Sequence, residues 1–226
     1  MNTKTIRVAK GNSSEYSSKV TAHGLIRRAG LAAMLAGILF IIIQLIHPPE
    51  NLTSVTTPKW AIVHYLTIAM ALCGLTGITG IYARQVKESG WTGLAGYILF
   101  SLFWIATAAF TFVEAFILPV LADLTPGFVE GFQGIFSGRT VSGVNLGILP
   151  AVAPVAGMIY ILSGLLLGIA TFRAGILPRR AAILLSFGSV VTLASSLIPH
   201  PYDRVLAVPM GIALLWLGFA LWSERR

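Results

Sequence analysis

The chain has 226 residues, is 56% hydrophobic and only 11% charged, and has a mean hydropathy of +0.82. A soluble domain needs far more charge to cover its surface, so this balance excludes one and reads as a polytopic membrane protein. A formal charge of +8 would suggest nucleic acid in a soluble chain. The positions of the charges point instead to membrane topology, and nucleic acid is left without support.

Residues 1–24 are polar and rich in Ser and Lys, without the apolar core and cleavage site of a signal peptide. They read as a disordered cytoplasmic tail. Residues 25–226 read as a single membrane domain. A membrane helix needs about 20 mostly apolar residues, rising ~1.5 Å each, to cross a ~30 Å core. Six stretches qualify: 29–46, 60–83, 91–122, 148–172, 181–198 and 205–223.

The first carries Gly37, Gln44 and His47 along one face and ends in LIHPP (45–49). The second opens on Trp60-x-x-x-His64, continues through Gly74, Gly77 and Gly80, and ends at Arg84. Its one cysteine, Cys73, is the only one in the chain, which leaves no disulfide and no Cys-based zinc site. A small packing residue is its plain role.

The third stretch is long and contains one charge, Glu114. Thr107, Thr111 and Glu114 follow an i, i+4, i+7 spacing and share one helical face. The connection at 123–147 places Phe128, Val129, Phe132, Ile135 and Phe136 on one face, with Glu130 and Gln133 off it. A short amphipathic helix lying on the outer interface is the plain reading. A lid over an outer pocket is the sharper one. Gly127, Gly131, Gly134 and Gly138 weaken the helix on either reading.

The fourth stretch has Pro150 and Pro154 at its start and a Gly164-x-x-x-Gly168 pair. The fifth has a polar seam of Ser189, Thr192 and Ser196 leading to His200. The sixth has Pro209 in its first turn and Gly211 and Gly218 a heptad apart. Small residues of this kind let backbones approach in a bilayer, and packing within the chain is the favoured reading. LAGILF (35–40) is echoed by LAGYILF (94–100), and LIHPP by LIPHP (197–201). Three parallel two-helix units would account for that.

With six crossings, Lys59, Arg139 and Arg204 fall on one side and the other 13 of the 16 Lys and Arg residues on the opposite side. By the positive-inside rule both termini are cytoplasmic. Trp60 and Tyr202 then read as outer-belt aromatics. The fold expected is therefore all-α, a bundle of six transmembrane helices.

Polar side chains inside apolar helices carry the functional signal. His47, His64, Glu114 and His200 all fall in the outer third of the membrane or its rim, with Gln44 and Thr111 on adjoining faces. Imidazole and carboxylate suit a transition metal, with His47 and His64 as its ligands, and paired histidines suit haem. The plain alternatives are helix end-caps for His47 and His200 and helix-to-helix hydrogen bonds for His64 and Glu114. No phosphate-binding loop, H-E-x-x-H, C-x-x-C or G-x-S-x-G occurs.

His47-Pro48, Trp60 with His64, the Gly74/Gly77/Gly80 run before Arg84, and VEAFILP (113–119) together resemble a group of uncharacterised bacterial multi-pass inner-membrane proteins. The resemblance covers about residues 30–122. It implies a bacterial plasma-membrane helical protein and no assigned activity. Similarity to membrane b-type cytochromes is partial, because no inner-leaflet histidine pair exists, and it leaves room for one haem near the outer side.

Three function classes follow. The first is a binding protein with an outer-leaflet pocket for a metal, haem or small lipid-like ligand. The second is a structural or accessory subunit, with a membrane-protein partner or a second copy of itself. The third, ranked last, is a membrane enzyme using Glu114 and His64 as an acid–base pair on a lipid.

Overall fold

The computed structural model describes residues 20–137, 144–199 and 202–224. Among them the elements are helices only. In chain order they are α1 (Ala22–Ile46), α2 (Leu52–Val55), α3 (Pro58–Arg84) and α4 (Val86–Phe112). A π-helical turn (Val113–Ile117) joins α4 to α5 (Leu118–Leu121). Then come α6 (Pro126–Ser137), α7 (Val152–Ala174), α8 (Arg179–Val190) and α9 (Val208–Ser223).

Five helical stretches are long and apolar enough to cross a membrane: Ala22–Ile46, Pro58–Arg84, Val86–Leu121, Leu149–Ala174 and Tyr202–Ser223. The chain is thus a multi-pass membrane protein. The remaining expected span, 181–198, is α8 followed by a 3₁₀ stretch, Val191–Leu197. Local chemistry favours the change of pitch. Val190, Val191 and Thr192 are β-branched, and the Thr192 and Ser189 hydroxyls donate to the carbonyls three residues back, Ser189 at 2.7 Å and Ser186 at 2.8 Å. The first helix begins at Ala22, capped by Thr21 Oγ1 accepting from the Gly24 N–H at 3.0 Å, so it starts earlier in the chain than the expected residue 29.

One end of the bundle is basic. Arg27 Nε donates to the Trp222 carbonyl at 2.9 Å, and Arg84 holds Glu224 through two bonds of 2.7 and 2.6 Å. Gln85, fully buried, donates to Thr171 Oγ1 at 2.6 Å, so the end of α7 lies here too. Inside α4 the chain kinks at Gly90, whose φ of 57° and ψ of −159° are open only to a residue without a Cβ. That bend is why the apolar helix starts in earnest at Trp91.

The centre is close-packed. α1 lies along α9 with Gly37 against Gly211 and Gly30 against Gly218. A Cβ on Gly218 would come within 2.6 Å of the Gly30 carbonyl oxygen, and one on Gly211 within 2.8 Å of the Gly37 oxygen. The heptad of glycines in the last helix is thus an intrachain seam, where backbone contact replaces side-chain burial. Phe40, Phe100, Trp104, Met210 and Leu214 fill the core beside it. A second apolar cluster, Val55, Trp60, Leu118, Val129 and Phe132, sits at the opposite end, under α6.

Candidate functional site

That opposite end is the histidine end. Its geometry starts from the sequence TTPKWAIVH. Thr57 Oγ1 accepts from the Trp60 N–H at 3.3 Å and Pro58 occupies the first turn, so α3 starts at a defined residue. Trp60 and His64, four residues apart, then share a face and stack with ring centroids 4.0 Å apart and planes 28° apart. His47, arriving from α1, meets both edge-on, at 5.5 Å from His64 and 6.2 Å from Trp60.

Glu114 faces this group from across the α3–α4 hairpin. His64 Nδ1 lies 2.7 Å from the Trp60 carbonyl oxygen, which can only accept, so Nδ1 carries a proton and donates. His64 Nε2 lies 3.5 Å from Glu114 Oε2. One further proton between these two atoms, on either one, leaves the pair without net charge, which suits a site with His64 only 2% exposed.

Trp60 reaches the same residue by a different route. Its indole Nε1 donates to the Glu114 backbone carbonyl at 2.8 Å. That carbonyl is open because of the π turn. The Leu118 N–H bonds to the Val113 carbonyl, one residue further back than in an α-helix. In the same register the donor for the Glu114 carbonyl would be residue 119, and Pro119 has no N–H. The indole supplies the missing donor. Trp60, expected as a belt aromatic at the interface, is instead fully buried, because its N–H has this acceptor inside the fold.

In front of Glu114 lies a cavity of about 280 Å³ lined by Glu50, Thr107, Thr111, Glu114 and Gln133, with Phe103, Ala106, Phe110, Val152 and Ala156 as its apolar walls. The Glu114 side chain keeps 20% of its surface accessible. Glu50 is backed in turn by Arg204, whose Nη2 donates to Oε1 at 2.6 Å. Each cavity carboxyl group therefore has a basic side chain beside it.

The α6 helix forms one wall. Val129 and Phe132 are buried as the spacing predicts. Gln133, expected off the buried face, is 4% exposed and donates to the Asn51 carbonyl at 3.3 Å. It is covered because α6 lies across the bundle end and is enclosed on more than one side. A Cβ on Gly131 would stand 3.3 Å from the Leu146 side chain, so the glycines that weaken the helix let the following segment close over it. Glu130 is exposed, as expected.

The expected residues divide accordingly. His47, His64 and Glu114 come together, and Thr111 joins Glu114 on the cavity wall. Gln44 is half-buried on α1 and is not among the cavity residues. His200 lies outside the described residues, as do Gly138, Arg139 and the side chains of Phe136 and Ser196. Glu50, Arg204 and Gln133 were not singled out by sequence. The available signal was that Arg204 is one of only three basic residues that the six-span reading of the sequence places on that side, with Glu50 beside a Pro-Pro turn there.

Among the described residues no group of three or more His, Cys, Asp or Glu side chains could hold a metal ion. The His47 Nδ1 is 2.8 Å from the Pro48 carbonyl, and both His64 nitrogens face partners. A cavity of this size lies at the lower edge of the roughly 300–1,000 Å³ typical of pockets for drug-sized molecules, and suits something smaller than haem. No protein-family model, no curated protein and no solved structure matches the chain.

Proposed function

We propose that this protein is a small-molecule-binding protein of the bacterial plasma membrane whose pocket lies at the histidine end, in the outer leaflet. The ligand is a compact, largely apolar molecule with a hydrogen-bond-donating head, an amine or a hydroxyl. The observation that carries this reading is the Glu114 carboxyl group, turned into a closely walled cavity while His64 holds it from behind. A carboxyl group has about four acceptor positions, and one basic neighbour leaves most of them facing the cavity. Thr107 and Thr111 add hydroxyls, and Phe103 and Phe110 offer ring faces.

The topology that goes with it has six spans and cytoplasmic ends. Supporting it, α8 contributes 12 residues at ~1.5 Å and its 3₁₀ continuation seven at ~2.0 Å, about 32 Å together and enough for a ~30 Å core. The Arg27–Trp222 bond brings the first and last helices to one end, the end that carries most basic residues. The resemblance in residues 30–122 supports the bacterial membrane.

The test is thermal stability of the purified protein with phenethylamine, 2-phenylethanol and ethylbenzene. At about a hundredfold excess over Kd, the amine or the alcohol raises Tm by about 5 °C, ethylbenzene does not, and Glu114→Gln removes the shift. No shift from either polar probe, or one that persists in Glu114→Gln, would overturn the reading. A second reading, a structural brace between α3 and α4, draws on the mutual satisfaction of His64, Glu114 and Trp60. It predicts that Glu114→Gln lowers Tm without any probe and impairs assembly.

A further inference from the structure

The basic end has a feature unrelated to the histidine-end cavity. Between α7 and α8 a groove of about 520 Å³ opens on the outer surface of the bundle, lined by Leu165, Ile169 and Phe172 on one side and Ile183, Phe187 and Val190 on the other. It exists because Gly168 lets the helices close at its floor, where Ser186 donates to the Leu165 carbonyl at 3.3 Å. The bulkier neighbours on each side stand out as walls, with Ile183 55% and Phe187 53% exposed.

The groove has a charged mouth. Arg173 lines it, and the Arg179 guanidinium stacks over the Phe172 ring at 5.4 Å. Two other arginines of the bundle ends are held by carboxylates, Arg84 by Glu224 and Arg204 by Glu50. Among the described residues Arg173 and Arg179 have no carboxylate partner, and both are exposed. From Arg173 up to Leu165 the groove runs eight residues (173 − 165), or about 12 Å along the helix. Half of a ~30 Å hydrocarbon core is about 15 Å. The apolar run thus matches the depth of one leaflet.

We propose that this groove is a binding site for an anionic phospholipid, with one acyl chain between α7 and α8 and the phosphate and its acidic head group at Arg173 and Arg179. Both halves of the ligand are required by what lines the site. On the six-span topology proposed above the groove faces the lipid, so an acyl chain is the neighbour it meets, and two unpaired guanidinium groups at its mouth select for negative charge.

Native mass spectrometry of the full-length protein tests this, with phosphatidylglycerol and phosphatidylcholine of identical chains titrated in turn. The wild type retains phosphatidylglycerol in preference, and Arg173→Gln with Arg179→Gln reduces that preference by about fivefold for each arginine. Arg28→Gln with Lys87→Gln removes the same charge from the same end, away from the groove, and leaves the preference in place. Ile183→Trp, an exposed position, fills the groove and lowers phosphatidylglycerol retention with the charge intact. Equal retention of the two lipids by the wild type would overturn the proposal. So would an equal loss in the Arg28/Lys87 control, or full retention in Ile183→Trp.

Discussion

The two ends of this bundle solve the problem of bringing helices together in opposite ways. Along the α1–α9 seam that leads to the basic end, glycines press backbone on backbone and leave no room for a side chain. At the histidine end, the α3–α4 pair is held apart by a tryptophan, a histidine and a glutamate, and a cavity opens in front of them. Close approach gives a seam with no space for a ligand between its two helices. Separation by hydrogen-bonded polar groups gives a half with a pocket, because each polar group inside it must reach a partner across the gap.

The contrast can be broken from either side. The largest effect belongs to the seam. Gly37→Leu places its side chain against the Gly211 carbonyl and the Leu215 backbone, and is expected to cost ~3 kcal/mol, with most of the protein lost to aggregation on extraction. Yield and Tm in mild detergent measure it; an unchanged Tm would mean that the seam tolerates a gap. Next is Trp60→Phe, which preserves the ring but removes the only donor identified for the Glu114 carbonyl. We expect a loss of ~2 kcal/mol.

A finer test couples two of the residues. Pro119→Ala restores an N–H that the Glu114 carbonyl can use, so Trp60→Phe should cost ~1 kcal/mol less in the Pro119→Ala background than in the wild type. Additive effects in the double-mutant cycle would refute the account of the open carbonyl. The smallest expected effect is at Asn51, whose Oδ1 caps α2 by accepting from the Ser54 N–H at 2.9 Å. Asn51→Ala should cost ~0.5–1 kcal/mol, read as a small fall in Tm with the basic end unaffected.

Much of the fold was legible because hydropathy and length are properties of contiguous residues. The helices at 60–83 and 91–122 appear with nearly the expected limits. The stretch 181–198 was readable as apolar, whereas its change from α to 3₁₀ depends on hydroxyl-to-carbonyl bonds that no apolar count registers. The nearness of His47, His64 and Glu114 was readable from depth alone. The roles of Trp60 and Gln133 were not. An aromatic at a helix start looks the same whether it faces lipid or an open carbonyl, and Gln133 is buried by a packing angle that periodicity does not contain. Glu50 and Arg204 lie 154 residues apart, and charges near a rim read as solvated until the chain brings them together.

The π turn also decides whether the cavity exists. In an uninterrupted α-helix Leu118 would lie about 20° around from Thr107 (118 − 107 = 11 residues at ~100° each), on the face that Thr107, Thr111 and Glu114 turn to the cavity. The one residue absorbed by the π turn rotates everything after it by about 100°, and Leu118 instead packs fully buried with Trp60 and Val129. Winding Val113–Ile117 as α-helix with no change of length would exchange no cavity-lining side chain for another type, yet it would swing Leu118 toward the space in front of Glu114. The pocket is thus set by the hydrogen-bond register of one turn as much as by the kinds of residue that line it.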